Sequence, residues 1–401
     1  MKYRLLFALL ITLVATSLAL PFAVAQETTA TPVAVADTCV TNYDASVDYF
    51  PDKITLEYAT GFSVEYHNNY KVVTIAQPWQ GAEDAANYVL VECGTPAPKD
   101  VKADAVIEVP VKSIVTMSTT FLPHIVGQGL LDKLVGVDSI NYTNTPEVVA
   151  KYEAGNLAAV SPNFGEINTE LLIDLQPGLI MAQRFDDTDK VYPALQAAGL
   201  PVVLNADFLD TTPLGQAEWG KYISLFFNTE AVAQKAFDGV ATRYTDLVKL
   251  AATADAEPTV FANTPYQGSW FMPGGKSYLA RFFADAGAAY IWADDTSTGS
   301  IPLDFETVFD KASAADFWVN AGFFWSTKAD ALAEDDRFKE FAAFKSDHVF
   351  TNNGHVNANG GSDYFETGVT NPDLILADLV KIFHPDLLPE YELYFYRQLA
   401  K

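Results

Sequence analysis

A single long amphipathic segment, residues 228–254, constrains what this chain can fold into more than any other feature. It reads NTEAVAQKAFDGVATRYTDLVKLAATA, and its apolar residues recur at spacings of three and four, which predicts a helix with one buried face. Asn228 or Thr229 is expected to cap this helix, Glu230 suits the helix dipole in the first turn, and Pro258 follows its end. The predicted apolar face comprises Val232, Ala236, Val240, Tyr244, Leu247 and Leu250. About 24 helical residues would span roughly 36 Å, enough to bridge two lobes. The alternative is an ordinary long surface helix within one domain.

The segments on both sides of this helix alternate between short apolar strands and helices. The first series of strands reads SIVTMS, LVGVDS, AAVSP, GLIMAQ and PVVLNA, and the second reads PTVFANTP, AYIWADD and DFWVNAG. This alternation predicts an α/β fold of two lobes, each a mainly parallel sheet flanked by helices. We expect an N-terminal lobe at 39–227, the connecting helix at 228–254 and a C-terminal lobe at 255–401. Within 39–112, the runs ITLEYA, FSVEYHNN, YKVVTIAQ and YVLVEC predict an extra layer of antiparallel strands.

The N-terminus has the pattern of an export signal. Lys2 and Arg4 precede an apolar run that ends before Pro21, and an A-x-A motif closes at Ala25. This pattern predicts a signal peptide at 1–25, cleaved after Ala25, and a disordered leader at 26–38. A membrane anchor is the alternative, and no cysteine follows the run directly, so a lipoprotein anchor is not indicated. We expect an exported protein, in a periplasm or on the outer face of the cell membrane.

The cysteine content and the net charge limit the possible chemistry and partners further. Cys39 and Cys93 are the two cysteines, and in an exported chain a single pair predicts a disulfide, with two buried free thiols as the alternative. The formal net charge of −26 argues against a nucleic-acid partner, because such proteins must neutralise phosphates.

Five segments resemble, in order, the substrate-binding proteins of iron-complex ABC importers, the family of ferric-siderophore, haem and cobalamin binders. They are SIVTMSTTFLPHIVGQGLLDKLVGV, NTELLIDLQPGLIMA, PGGKSYLARFFADAGAAYIWAD, LDFETVFDKASAADFWVN and PDLILADLVKIFHPDLLP, and they extend from about Ser113 to Leu388. The resemblance implies a monomeric receptor rather than an enzyme, with no intrinsic cofactor. Its ligand would be a metal chelate, namely a ferric siderophore, haem or cobalamin.

The resemblance also implies a membrane partner. In this family each lobe presents a glutamate that docks onto arginines of the ABC permease, and Glu170 and Glu306 match these glutamates by position. Each opens a helix that precedes a strand, so the alternative is that both merely complement helix N-termini. The implied interaction is bidentate pairing of each carboxylate with arginine.

Candidate ligand-binding residues follow the predicted strands, because ligands of α/β lobes gather at the carboxyl ends of strands. In the first lobe they are Thr119, Thr120, Phe121, Asn141, Tyr142, Phe164, Arg184 and Phe185. In the second lobe they are Tyr266, Trp270, Phe271, Lys276, Trp325, Asn357, Asn359 and Tyr364. The loop TPYQGSWFMPGGKSY places four aromatic residues among turn residues, which predicts an apolar surface for a ligand, although packing under their own loop is the alternative. Arg184 would pair with an anionic group of the ligand, or else is an ordinary surface arginine.

Two other functions stay open at this point. A secreted α/β hydrolase-like enzyme would need a nucleophile beside a base, and neither a G-x-S-x-G nor an H-E-x-x-H motif occurs. Direct binding of a transition-metal ion would need convergent ligands, and the five histidines are scattered without a helical i,i+4 pair.

Overall fold

The computed structural model describes residues 38–161 and 166–401. The predicted signal peptide, the leader up to residue 37 and the candidate ligand residue Phe164 lie outside the described residues. Among the residues described, no helix combines the length and the apolar character needed to cross a bilayer.

The strands and helices follow the predicted alternation. The strands are β1 (Phe62–Tyr66), β2 (Tyr70–Ile75), β3 (Ala86–Glu92), β4 (Ala105–Val109), β5 (Ile114–Thr116), β6 (Leu134–Val137), β7 (Ala158–Ala159), β8 (Leu179–Ala182), β9 (Val202–Leu204), β10 (Thr259–Ala262), β11 (Pro265–Tyr266), β12 (Ser269–Pro273), β13 (Ala289–Tyr290), β14 (Ser300–Leu303), β15 (Phe317–Val319), β16 (Phe350–Thr351) and β17 (Arg397–Gln398). The helices are α1 (Leu122–Gly127), α2 (Pro146–Glu153), α3 (Thr169–Leu175), α4 (Val191–Ala197), α5 (Pro213–Glu218), α6 (Gly220–Ser224), α7 (Glu230–Ala251), α8 (Tyr278–Asp285), α9 (Phe305–Ala312), α10 (Lys328–Glu334), α11 (Ala342–Lys345), α12 (Thr367–Thr370) and α13 (Pro372–Phe383).

The first lobe contains two sheets. The central one has the order β7-β6-β5-β8-β9 and is parallel throughout, as the buried runs of Val, Ile and Leu predict. The other has the order β1-β2-β3-β4, and its first three strands are antiparallel, which confirms the predicted extra layer. β4 joins this layer in parallel with β3, whereas the sequence predicted antiparallel strands throughout the layer.

The predicted strand ITLEYA is wrong, because a buried carboxylate takes up its backbone donors. The N–H groups of Tyr58 and Ala59 both donate to one oxygen of Glu218 at 2.7 Å, and that of Glu57 lies 3.1 Å from both oxygens. Glu218 is fully buried on α5 and also accepts from Lys221 Nζ at 2.7 Å. These N–H groups are therefore satisfied by a side chain that is distant in the sequence, and the segment forms no ladder.

The second lobe has a smaller parallel sheet of order β13-β10-β15. Beside it, β11, β12 and β14 form an antiparallel sheet, so the segment predicted as an aromatic loop is largely a hairpin. In this hairpin Trp270 and Met272 point into the core, whereas Tyr266 and Phe271 stay exposed, as the period of two in a strand requires.

The long helix α7 links the two lobes, with a buried face that differs from the predicted one. The buried residues are Ala233, Phe237, Val240, Tyr244, Leu247 and Ala251, and from Phe237 onward they belong to the core of the second lobe. Val240, Tyr244 and Leu247 are buried as predicted, and Leu250 is partly buried against the same core. Towards the N-terminal end, Ala233 and Phe237 are buried in place of Val232 and Ala236. The N-terminal end is fixed to the first lobe by a 2.6 Å ion pair between Glu230 and Lys71. Thus α7 lies along the second lobe and is anchored in the first.

Candidate functional site

A cleft lies between the carboxyl edge of the first lobe's parallel sheet and a loop of the second lobe that is rich in Asn and Gly, residues 348–368. It contains a cavity of about 320 Å³, lined by Thr119, Tyr142, Phe323, Gly360, Gly361, Ser362 and Phe365. Thr119 follows β5 and Tyr142 follows β6, so both come from strand ends, where the sequence predicted ligand contacts. Rings and hydroxyl groups dominate this lining, a composition that suits a ligand with flat or apolar surfaces.

The two lobes are hydrogen-bonded to each other beside this cavity. Glu366 of the second lobe is fully buried and accepts from the backbone N–H of Asn144 at 2.8 Å and of Thr145 at 2.7 Å. The hydroxyl of Thr145 donates to the same carboxylate. Burial raises the pKa of Glu366, while the bonds from Thr145 and Asn144 act in the opposite direction. We refer to this contact as the cross-lobe clasp.

The predicted ligand residue Asn357 reinforces the contact between the lobes. Its side-chain amide donates to Asn141 O at 3.0 Å and to Thr143 O at 3.1 Å, both in the first lobe. Gly361 lies so close to the backbone of Tyr142 that an added Cβ would collide with it. Glycine is therefore required at this position for the loop to approach the first lobe.

A buried acidic group stands behind the first-lobe wall of the cavity. Asp207 is 3% exposed and accepts from Gln183 Nε2 at 2.6 Å, from the Phe208 N–H at 2.8 Å and, more weakly, from the Thr120 hydroxyl at 3.3 Å. Burial raises its pKa to about 6, against the lowering effect of these three donors. Thr120, a predicted ligand residue, thus connects the cavity wall to a carboxyl group.

Four of the predicted ligand residues are core residues here. Trp270 is fully buried and its indole N–H donates to Ala262 O at 2.9 Å. Phe121 is also fully buried, and Trp325 donates to Glu334 at 2.8 Å while packing on Trp318. Tyr364 is buried against Phe395 and Tyr396. Their rings fill the cores of their own lobes, so the structure favours the packing alternative for them.

The remaining candidates are half-buried or exposed and lie outside the cavity lining. Arg184 stacks over the ring of Trp79 at 3.9 Å, and its Nε donates to Asp186 O at 2.8 Å, so its guanidinium is held by its own lobe. Phe185, Tyr266, Phe271, Lys276 and Asn359 are exposed.

Sequence reasoning missed several residues that line the cavity. Phe323 comes shortly after β15 in the pair Phe323-Phe324, and Phe324 is 88% exposed. An aromatic pair so soon after a buried strand could have indicated a ligand surface. Phe365 and Glu366 lie within the Asn/Gly-rich stretch 348–368, but nothing in the sequence indicates that they face the other lobe.

Comparison with known proteins decides the family. Residues 114–354, more than half of the chain, match the family described as periplasmic binding protein. The chain belongs to the periplasmic binding protein family. The match includes β5, the connecting helix α7 and the cavity residue Phe323.

This periplasmic binding protein is also similar to individual proteins. An uncharacterized lipoprotein of Methanocaldococcus jannaschii is 27% identical over 311 residues, covering 75% of this chain and 76% of the relative. A periplasmic binding protein from Veillonella parvula superposes with a TM-score of 0.55 at 14% identity, covering 81% of this chain and 98% of that one. A periplasmic haem-binding protein from Pseudomonas aeruginosa superposes with a TM-score of 0.54 at 16% identity, covering 73% of this chain and 99% of that one. At these identities the two solved structures show the fold that this chain shares.

The two glutamates predicted to dock occupy equivalent places in this periplasmic binding protein. Glu170 and Glu306 are both exposed at the second position of a helix, in α3 and α9 respectively. Each helix is capped by the residue two positions earlier, because Asn168 accepts from Leu171 N at 3.0 Å and Asp304 from Thr307 N at 2.7 Å. Glu306 additionally pairs with Arg337 at 3.2 Å.

The predicted disulfide is confirmed. Cys39 and Cys93 are bonded, with their Cα atoms 4.8 Å apart, and the bond ties the start of the described chain to the end of β3. In the described part of the chain, the one set of grouped metal-ligand donors is Cys39, Cys93 and Glu108. Because both cysteines are oxidised to each other, this set does not support the alternative of direct metal-ion binding.

Proposed function

We propose that this periplasmic binding protein captures a metal chelate in the cleft between its lobes and delivers it to an ABC permease. The observation that carries the proposal is the cavity between the lobes, lined by Tyr142, Phe323 and Phe365 beside hydroxyl and glycine residues. Such a lining gives a chelate broad ring contacts at little cost in side-chain entropy. The ligand class would be a ferric siderophore, haem or cobalamin.

Similar solved structures support this class of ligand. One superposed protein, from Saccharomonospora viridis, is described as an Fe3+-hydroxamate transport system, with a TM-score of 0.53 at 15% identity. The Pseudomonas aeruginosa protein is described as haem-binding. We propose that this chain uses the same fold to bind a ligand of this class.

The proposed location is outside the cytoplasm. The predicted signal peptide, the disulfide and the lipoprotein relative all agree with export. Outside the cytoplasm, capture by this protein would hold the chelate close to the permease.

Titration of the purified protein with ferrioxamine B, haem and cyanocobalamin tests the capture step. We expect at least one of them to quench the intrinsic tryptophan fluorescence with a saturable curve. A Phe323→Ala/Phe365→Ala double variant should weaken that binding at least tenfold, because it removes two ring faces from the lining. A Phe271→Ala variant, on the outer face of the β12 hairpin, is the matched control. Failure of all three chelates to bind would remove the proposal.

Docking to the permease is proposed to use Glu170 and Glu306. A Glu170→Arg/Glu306→Arg double variant should lower chelate uptake by cells at least 50-fold, because like charges would then face each other at both contacts. Chelate affinity in solution should stay unchanged, since both residues lie on α3 and α9 and not in the cavity lining. Normal uptake by the double variant would contradict the assignment of these two glutamates to docking.

A further inference from the structure

The cavity lining contains no side chain that carries a positive charge. Its seven described residues are Thr119, Tyr142, Phe323, Gly360, Gly361, Ser362 and Phe365. An anionic ligand would therefore find only neutral donors in this lining.

The basic residues expected near the cleft are held elsewhere or are neutral. Arg184 is committed to the ring of Trp79 and to Asp186 O. His124, which follows the first strand end, is neutral at physiological pH because burial lowers its pKa to about 4. Lys276 is exposed and is not part of the cavity lining.

Three buried carboxyl groups, by contrast, stand directly behind the cavity wall. Asp207 bonds to Thr120, the neighbour of the lining residue Thr119, while Asp363 directly follows the lining residue Ser362 and Glu366 directly follows the lining residue Phe365. Their exposed fractions are 3%, 6% and 0%. They are thus part of the cavity's second layer, shielded from bulk water.

None of the hydrogen bonds that the structure describes for these three carboxyl groups comes from a cation. Asp363 accepts from the hydroxyl of Tyr394 at 3.1 Å and from Thr367 N at 3.3 Å. Asp207 and Glu366 accept from amide, hydroxyl and backbone N–H groups, as given above. Within the described residues, no hydrogen-bonded cation therefore offsets the negative charge of these groups, and their field extends into the cavity.

We infer that the chelate taken up in this cleft is neutral or cationic, and that anionic chelates are rejected. The inference rests on the proposed function and narrows its ligand class. Unneutralised carboxylates repel an anion in a partly desolvated cavity, which is a means of specificity by exclusion. The same field, together with the ring faces of Phe323 and Phe365, favours a positively charged group on the ligand.

The inference can be tested with pairs of chelates in which one member has free carboxylates that the other lacks. The pairs are N-acetyl and N-succinyl ferrioxamine B, haem dimethyl ester and haem, and cyanocobalamin and its monocarboxylic acid. In every pair that binds, we expect the member without the free carboxylate to bind at least tenfold more tightly. Equal or tighter binding of the anionic member would overturn the inference and leave the proposed function standing. Binding of no pair would remove the proposed function, and the inference with it.

Variants of the buried carboxyl groups test whether these groups cause the preference for the chelate without a free carboxylate. An Asp207→Asn/Asp363→Asn double variant should reduce the preference within a pair at least threefold, mainly through stronger binding of the anionic member. Asp246→Asn, on the exposed face of α7, is the control and should leave the preference unchanged. If the double variant keeps the full preference, these carboxyl groups do not cause it. The chelate pairs on the unmodified protein remain decisive even if the double variant fails to fold.

Discussion

Buried carboxyl groups occur on two sides of this molecule, and the two sides treat them differently. At the joint between the first lobe and α7, Glu230 pairs with Lys71 and Glu218 pairs with Lys221, and the side chains of both pairs are almost completely buried. Around the cleft, Asp207, Asp363 and Glu366 accept only from neutral donors in the described structure.

The comparison separates structural charge from functional charge. At the joint, each acid is compensated by a lysine that also bonds backbone carbonyls: Lys71 bonds Leu225 O and Lys221 bonds Thr55 O. Neutral donors alone do not mark a ligand site, since Asp378 in the second lobe is fully buried and accepts from Tyr391 and from three backbone N–H groups. Under our inference the carboxyl groups at the cleft have a second effect, because their charge lies beside the cavity and selects the ligand.

The largest expected effect comes from breaking a pair at the joint. Lys71→Met would leave Glu230 buried without its cation, so we expect a loss of about 3–5 kcal/mol in the free energy of unfolding. Guanidinium unfolding measures this loss, and Lys71→Met/Glu230→Leu should recover most of it because the uncompensated charge is gone. A loss below about 1 kcal/mol for the single variant would show that the pair does not secure the joint.

The next effect has the opposite sign and depends on pH. Asp207→Asn keeps the acceptor for Gln183 and Phe208 N, can donate to Thr120, and removes a charge that is costly to bury. The pKa of Asp207 is about 6 in the folded protein and 3.8 in its ordinary state, so the folded state binds the extra proton more tightly. The contribution of Asp207 to the unfolding free energy of the unmodified protein therefore falls as pH rises from about 4 to about 6.

Unfolding free energies at pH 4 and pH 7.5 test this linkage. The Asp207→Asn variant should gain about 3 kcal/mol relative to the unmodified protein at pH 7.5, and less than about 1 kcal/mol at pH 4. Asp246→Asn, at an exposed position, should show no such difference between the two pH values. The same gain at both pH values would contradict a cost of charge at Asp207.

The smallest effect concerns the cross-lobe clasp. Glu366→Gln replaces one of the two acceptor oxygens by an NH2 group. Because the N–H groups of Asn144 and Thr145 bond different oxygens, one of them loses its acceptor. We expect hydrogen exchange of that amide to accelerate at least tenfold, with little change in global stability. Glu65→Gln, at an exposed position of β1, provides the control. Unchanged exchange in Glu366→Gln would mean that the carboxylate does not hold the lobes together.

Elements with a strong local pattern could be predicted from the sequence. The strands around Val115 and Ile180 are short buried runs of branched residues, and the α7 segment has a clear helical period, so local preference and burial agree. The cysteine pair was equally clear from its number and from the export signal.

Features that depend on distant contacts could not be predicted. The segment 54–59 has the alternation of a strand, but the carboxylate of Glu218 takes its N–H groups. Trp270 reads as a loop aromatic, yet the hairpin turns it into the core. The cavity residue Phe365 and the clasp residue Glu366 have their roles through the first lobe across the cleft. No local sequence pattern predicts such contacts between lobes.

Binding by a variant that fills the cavity tests the central claim most directly. Thr119→Trp places a large ring in the cavity between the lobes, whereas Thr253→Trp adds the same ring at an exposed position just past the end of α7. With both variants folded to within a few degrees in Tm, the account predicts at least 100-fold weaker chelate binding for Thr119→Trp and unchanged binding for Thr253→Trp. Chelate affinity within twofold of the unmodified protein in Thr119→Trp would contradict capture between the lobes.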